Sequence, residues 1–157
     1  VVCGANDLGD SFCRLAGRGR PTDAELAASL EGPGPCERVS TDGHAGYERV
    51  LPGLGAGSHE ARPADEAAGS LGMVNALHQR LKRFLGRFAG VSTKWLPRYL
   101  AWFGWAEQAR RSGSRPARVL SGQAAAGRYE HTRAALLSSP QPLWGYWEQH
   151  GAMSTAV

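Results

Sequence analysis

The stretch MVNALHQRLKRFLGRFA, residues 73–89, constrains the fold more than any other part of the chain. Val74, Leu77, Leu81, Phe84, Leu85 and Phe88 recur at steps of three and four, which gathers them on one side only if the segment is helical. A strand would scatter the same residues over both of its faces. The opposite side carries Asn75, Gln79, Lys82, Arg83 and Arg87, and Gly90 is placed to end the helix. A second helix is expected over residues 93–110, with Pro97 in its first turn, where an amide is spare. Trp95, Leu96, Tyr99, Leu100, Trp102, Phe103 and Trp105 make it aromatic on much of its circumference, so some of these rings should pack on the first helix.

The chain before this helix alternates short strands with turns and helices. Residues 1–5 and 11–15 read as an antiparallel hairpin around the turn residues Asn6, Asp7, Gly9 and Asp10. Thr22 and Glu25 have capping-box spacing, and Leu26, Ala27 and Leu30 follow on one helical face. Residues 38–41 form a short strand that runs into Asp42-Gly43, with a small helix over residues 44–50 and an edge strand near residues 59–62. After Arg111, residues 112–116 read as a linker. The remainder holds at most one helix, over residues 124–137, and an aromatic cluster of Trp144, Tyr146 and Trp147. This order is mixed α/β.

Charge is unevenly spread over the 157 residues. Residues 1–70 carry a net −5, residues 71–118 carry +9 with Glu107 as their only acid, and the rest is neutral. A basic segment of that size suggests a polyanion surface on one side of the fold. No apolar run approaches the roughly 20 residues of a membrane span, and no signal peptide is visible, so a cytoplasmic location without membrane attachment is expected. Cys3, Cys13 and Cys36 form no CxxC and no zinc-spaced cluster with a histidine, and they read as incidental thiols.

Two features carry candidate chemistry. Asp42 stands at a strand end, where α/β folds build ligand sites, and Gly43 permits close approach of a backbone or phosphate. A carboxylate there can hold a hard cation, although Asp-Gly is also an ordinary turn. Asn75 and Lys82 are seven residues apart, hence about 20° apart around a helix. An oxygen ligand followed by a Lys two turns on suits a metal ion and the phosphate it activates. Arg83 and Arg87 extend the basic stripe as a helix lying along a nucleic-acid backbone would require. A solvated polar face would carry the same residues.

These residues resemble a known family. TDGHAGY, residues 41–47, is similar to the TDGxxxY stretch that carries the second catalytic Asp of DDE-type insertion-sequence transposases. NALHQRLKRFLGRFAGVSTKWLPRYLAWF, residues 75–103, resembles the third motif of their ISXO-like branch. There an N-x-x-H-x-x-L-K helix precedes a basic turn and an aromatic Y-L-x-W-F helix. Asn75 stands where this branch admits Asn for Glu, Lys82 follows seven residues on, and Ala89 departs from the usual Arg of the turn.

The resemblance covers about residues 1–111 and implies an RNase H-like mixed sheet flanked by helices, with residues 112–157 as a C-terminal extension. It implies a bacterial enzyme of DNA transposition that cleaves and transfers DNA strands with two Mg²⁺ or Mn²⁺ ions. Asp42 and Asn75 would be metal ligands, and Lys82 would position the scissile phosphate. His78, Lys82, Arg83, Arg87, Lys94 and Arg98 would face DNA, with His78 equally open to a structural role. The partners implied are transposon ends, target DNA and further copies of the full-length protein. The family's first catalytic Asp lies on a strand before the hairpin. The chain therefore reads as a core lacking that strand, since Asp7 and Asp10 sit in the hairpin turn at the wrong end. Two alternatives stay open: a non-catalytic DNA-binding remnant, and an unrelated α/β domain whose aromatic helix docks a partner.

Overall fold

The computed structural model describes residues 1–32, 34–62, 71–127 and 132–140. They form two compact units, Val1–Arg87 and Phe88–Val157. Among the described residues the first unit is mixed α/β and the second is helical. The boundary expected at Arg111 falls at the end of a helix inside the second unit.

The hairpin forms as its turn chemistry dictates. β1 (Val2–Ala5) and β2 (Ser11–Arg14) pair antiparallel, with Val2 opposite Arg14 and Gly4 opposite Phe12. Asn6 closes the turn. Its amide donates to the Asp10 carbonyl at 3.0 Å, and its side-chain oxygen accepts from the Asp10 amide at 2.7 Å. A Cβ at Gly4 would stand 2.4 Å from the Phe12 ring, so any larger residue there would displace that ring.

α1 (Asp23–Leu30) begins with the full capping box. The Glu25 amide donates to Thr22 Oγ1 at 3.3 Å, and the Thr22 amide donates back to the Glu25 carboxylate at 2.8 Å. Its far end is held by Arg14, whose guanidinium donates to the carbonyls of Ser29, at 3.3 Å, and Glu31. A cation at the C-terminal carbonyls also meets the negative end of the helix dipole. Leu26 is 2% exposed and joins Val2 and Val50 in the core, with Phe12, Leu30 and Tyr47 packed around them.

β3 (Arg38–Thr41) leads through Asp42-Gly43 into α2 (Ala45–Val50) and a 3-10 turn, Leu51–Leu54. The chain then returns as β4 (Ser58–Ala61), which pairs parallel with β3 and sets Thr41 opposite Ala61. Among the described residues the strands make two separate two-stranded sheets, β1-β2 and β3-β4, not one continuous sheet. Each strand therefore has an edge that no described strand pairs.

α3 (Gly72–Gly86) buries Leu77 and Leu81 and packs against β1. It stops three residues short of the expected Ala89. The Arg87 amide donates to the Phe84 carbonyl at 3.3 Å, tightening the last turn, and Ala89 then takes the left-handed region with φ 51°. An L-residue pays about 1 kcal/mol for that conformation.

In the second unit α4 (Leu96–Arg111) has Pro97 in its first turn and buries Leu100, Phe103, Glu107 and Ala109. Tyr99 and Trp102 gather on Phe88 at ring-centroid distances of 4.8 and 5.5 Å. Two helices follow in place of the single one expected over residues 124–137. Pro116 starts α5 (Pro116–Ala126), which Gly127 ends, and Thr132 caps α6 (Arg133–Ser138). Missing the first came from reading Pro116 as linker, when proline is at home in a first helical turn. Trp144, Tyr146 and Trp147 lie outside the described residues.

The Leu26 cluster and the Thr22 cap are independently testable by urea unfolding. Leu26→Ala is expected to lower stability by roughly 2–5 kcal/mol, and Thr22→Ala by about 1 kcal/mol. A Leu26→Ala midpoint equal to that of the parent protein would mean that Leu26 is not in the core.

Candidate functional site

Asp42 leaves the end of β3 in a backbone that only glycine continues comfortably, since Gly43 has φ 82°. Its carboxylate is exposed and accepts from the His44 amide at 3.4 Å. His44 then caps α2, accepting from the Gly46 amide at 3.1 Å through Nδ1. On the strand side, the Thr41 hydroxyl and His59 Nε2 are 2.8 Å apart and tie the end of β3 to β4. The Asp42 loop is thus fixed from both sides while its carboxylate is left to solvent.

α3 supplies the other half of the site. Asn75, His78, Gln79, Lys82 and Arg83 are exposed on it, as is Arg87 at its end. Asn75 and Lys82 lie on the side away from buried Leu77 and Leu81, and His78, one turn from each of Asn75 and Lys82, lies on the flank of the buried face. Electrostatics connects this face to the loop. Burial pushes the His78 imidazole below its ordinary pKa, Lys82 adds to that by repelling a second positive charge, and the Asp42 carboxylate pulls the value back up. Tyr47, the last residue of the TDGHAGY stretch, is pushed up first by burial, then by the negative charges of Asp42 and Cys3. The Asp42 carboxylate thus acts electrostatically on His78, although the two are 36 positions apart in the chain.

The remaining basic candidates belong to the second unit. Lys94 Nζ sits 5.1 Å from the Trp95 ring, and the Arg98 guanidinium sits 4.8 Å from the same ring. Arg98 Nη2 also donates to the Ser139 hydroxyl at 2.8 Å and to the Leu136 carbonyl, so part of its donor fork holds the end of α6. Trp105 Nε1 donates to Gln123 across α4 and α5 at 2.8 Å. A cleft of about 360 Å³ beside that bond is lined by uncharged side chains, among them Gln108, Ser112 and Val119.

For a hard cation, Asp42 and Asn75 offer a carboxylate and an amide oxygen, the ligand types that Mg²⁺ and Mn²⁺ accept. Among the described residues no group of three or more His, Cys, Asp or Glu side chains is arranged to hold a metal ion. Asp7 and Asp10 lie in the hairpin turn, where the Asp10 carboxylate accepts from the Asn6 side-chain amide at 3.2 Å. No helix of the described residues is long and apolar enough to cross a membrane.

Sequence reasoning missed one cluster. Cys3 and Cys13 face each other across the hairpin with their sulfurs 3.0 Å apart. The signal was present, because the two residues are equidistant from the centre of the turn. No protein-family model, no curated protein and no solved structure matches the chain.

The juxtaposition of Asp42 with α3 can be read from the titration of His78. Because folding depresses this pKa, His78 contributes stability that is full above its unfolded value of about 6.5 and is lost as pH falls through the lowered folded value. By NMR its midpoint should lie below that unfolded value. Asp42→Asn should move it further down, and Lys82→Gln should move it up. A midpoint that ignores Asp42→Asn would separate the loop from the helix.

Proposed function

We propose that this chain is part of the catalytic core of a DDE-type insertion-sequence transposase of the ISXO-like branch, acting on DNA in the cytoplasm. The observation that carries the reading is the pair of stretches, residues 41–47 and 75–103, that resemble the family's second and third motifs, and the charge of Asp42 in the first acts on His78 in the second. The two stretches that resemble the family's second and third motifs are distant in sequence, and a shared neighbourhood is what one catalytic centre demands of them. The RNase H-like assignment rests on the same resemblance. It is supported by an antiparallel hairpin followed by a parallel β-α-β pair.

In this reading Asp42 and Asn75 hold Mg²⁺ or Mn²⁺ through oxygen. When bound, the cations of such a centre activate a water or DNA 3′-hydroxyl and neutralise the leaving oxygen. Lys82 holds the scissile phosphate beside them. Arg83 and Arg87 bind the flanking backbone, each displacing condensed counterions from the duplex. His78, kept toward its neutral form, can accept or donate one hydrogen bond there without adding charge. Lys94 and Arg98 would be phosphate-binding residues of the second unit. A complete two-cation centre takes a further carboxylate, and the full-length protein would work as a homo-oligomer on paired transposon ends.

A second reading is a non-catalytic DNA-binding remnant, favoured by the lack of a third metal-ligating side chain near Asp42 among the described residues. Both readings require DNA binding, and Asp42 separates them. Fluorescence anisotropy on duplex DNA should show affinity that falls steeply with salt. Lys82→Ala combined with Arg83→Ala should flatten the log–log salt slope by about 1.8, at about 0.9 per lost phosphate contact. Under the transposase reading, Mg²⁺ induces nicking of element-end DNA and Asp42→Ala abolishes it. Under the remnant reading, binding is indifferent to Mg²⁺ and to Asp42→Ala, and no nicking occurs. Absence of DNA binding at low salt would sink both.

A further inference from the structure

The cross-strand thiols take no part in the proposed DNA chemistry. Cys3 and Cys13 are register partners in the antiparallel β1-β2 pair, and their sulfurs are 3.0 Å apart. Directly opposed residues of such a pair have Cα atoms about 4.5 or 5.5 Å apart. Both separations fall within the roughly 4.4–6.8 Å that a disulfide spans. A bond between these sulfurs therefore needs no rearrangement of the strands. The turn holds the thiols in place, through the Asn6–Asp10 bonds and a Gly9 amide that donates to the Asn6 carbonyl at 2.9 Å.

The hydrogen bond shared by the Cys3 and Cys13 sulfurs holds the Cys3 pKa down, against the opposing effect of burial. Both are half-buried. As metal ligands they fall short: a closed zinc site takes four donors, and among the described residues no third His, Cys, Asp or Glu side chain joins them. Cys36 lies apart on an exposed loop, its thiol directed at the Gly34 carbonyl at 3.4 Å.

We propose that Cys3 and Cys13 are a redox-active dithiol that closes to a cross-strand disulfide by exchange with a low-molecular-weight disulfide of the glutathione class. The Cys3 thiolate attacks one sulfur of the oxidant, forming a mixed disulfide and expelling one small thiolate. Cys13, losing its proton, then attacks Cys3 Sγ. The Cys3–Cys13 bond forms, the mixed disulfide breaks, and the second small thiolate leaves. Two protein thiols are oxidised, one small disulfide is reduced to two thiols, and the two protons end on those thiols. The closed bond staples β1, the strand against which α3 packs, to β2.

The test uses the whole chain equilibrated over a series of reduced-to-oxidised glutathione ratios. Samples are quenched in acid, alkylated and mapped by peptide mass spectrometry. A bridged Cys3–Cys13 peptide should appear in one two-electron transition while Cys36 never enters a bridge. In Cys13→Ser the bridge is lost and glutathione accumulates on Cys3. In urea the transition of the parent chain should need a ratio at least tenfold more oxidising, because the hairpin no longer holds the sulfurs together. The proposal fails if both cysteines remain alkylatable at the most oxidising ratio, if the bridge involves Cys36, or if urea leaves the transition unmoved.

Discussion

Burial of Val2, Leu26 and Val50 against one another is the constraint on which the first unit depends. These three residues come from β1, α1 and the end of α2, and each is nearly removed from water. Burying a side chain of this size contributes on the order of 1.5–3 kcal/mol. With the cluster in place, Tyr47 of α2 is packed beside it, and α3 packs on β1. The candidate site is a consequence of that core and does not stabilise it: Asp42, Asn75 and Lys82 are all exposed.

Electrostatics on the exposed side then follows from a division of labour along α3. Leu77 and Leu81 commit one face to the interior, which leaves the polar residues of the same helix no choice of direction. A cationic stripe with a single carboxylate brought up beside it is suited to a phosphate backbone approached through a cation. The same stripe without the carboxylate would be a general polyanion surface. Asp42 therefore carries more of the functional argument than its exposed position suggests.

Local chemistry was legible wherever one interaction dominates. The capping box of Thr22 and Glu25, the Asn6–Asp10 turn and the Asp42-Gly43 strand exit formed as their side chains dictate. Helix ends were less legible. α3 stops at Gly86, with Ala89 in a left-handed conformation, although the apolar period runs on to Phe88. Phe88 instead gathers Tyr99 and Trp102, and periodicity cannot say which of two hydrophobic partners a ring will choose. The C-terminal helices were partly hidden because Pro116 and Gly127 read equally well as linker residues and as the start and stop of a helix. Among the described residues the strands pair as two separate two-stranded sheets, a matter of long-range strand pairing on which four-residue strands carry little information.

By itself the sequence determined the α/β class, the amphipathic helix with its basic face, and the residues that can bind oxygen-loving cations or phosphate. These follow from side-chain type and period, which act over a few residues. Only the tertiary structure decided which of them meet. It set Asp42 within electrostatic reach of His78, turned part of Arg98 toward α6, and set the Cys3 and Cys13 sulfurs side by side. Such meetings depend on how separate elements share one core. The three buried residues that arrange the first unit are ordinary apolar residues whose partners no local pattern names.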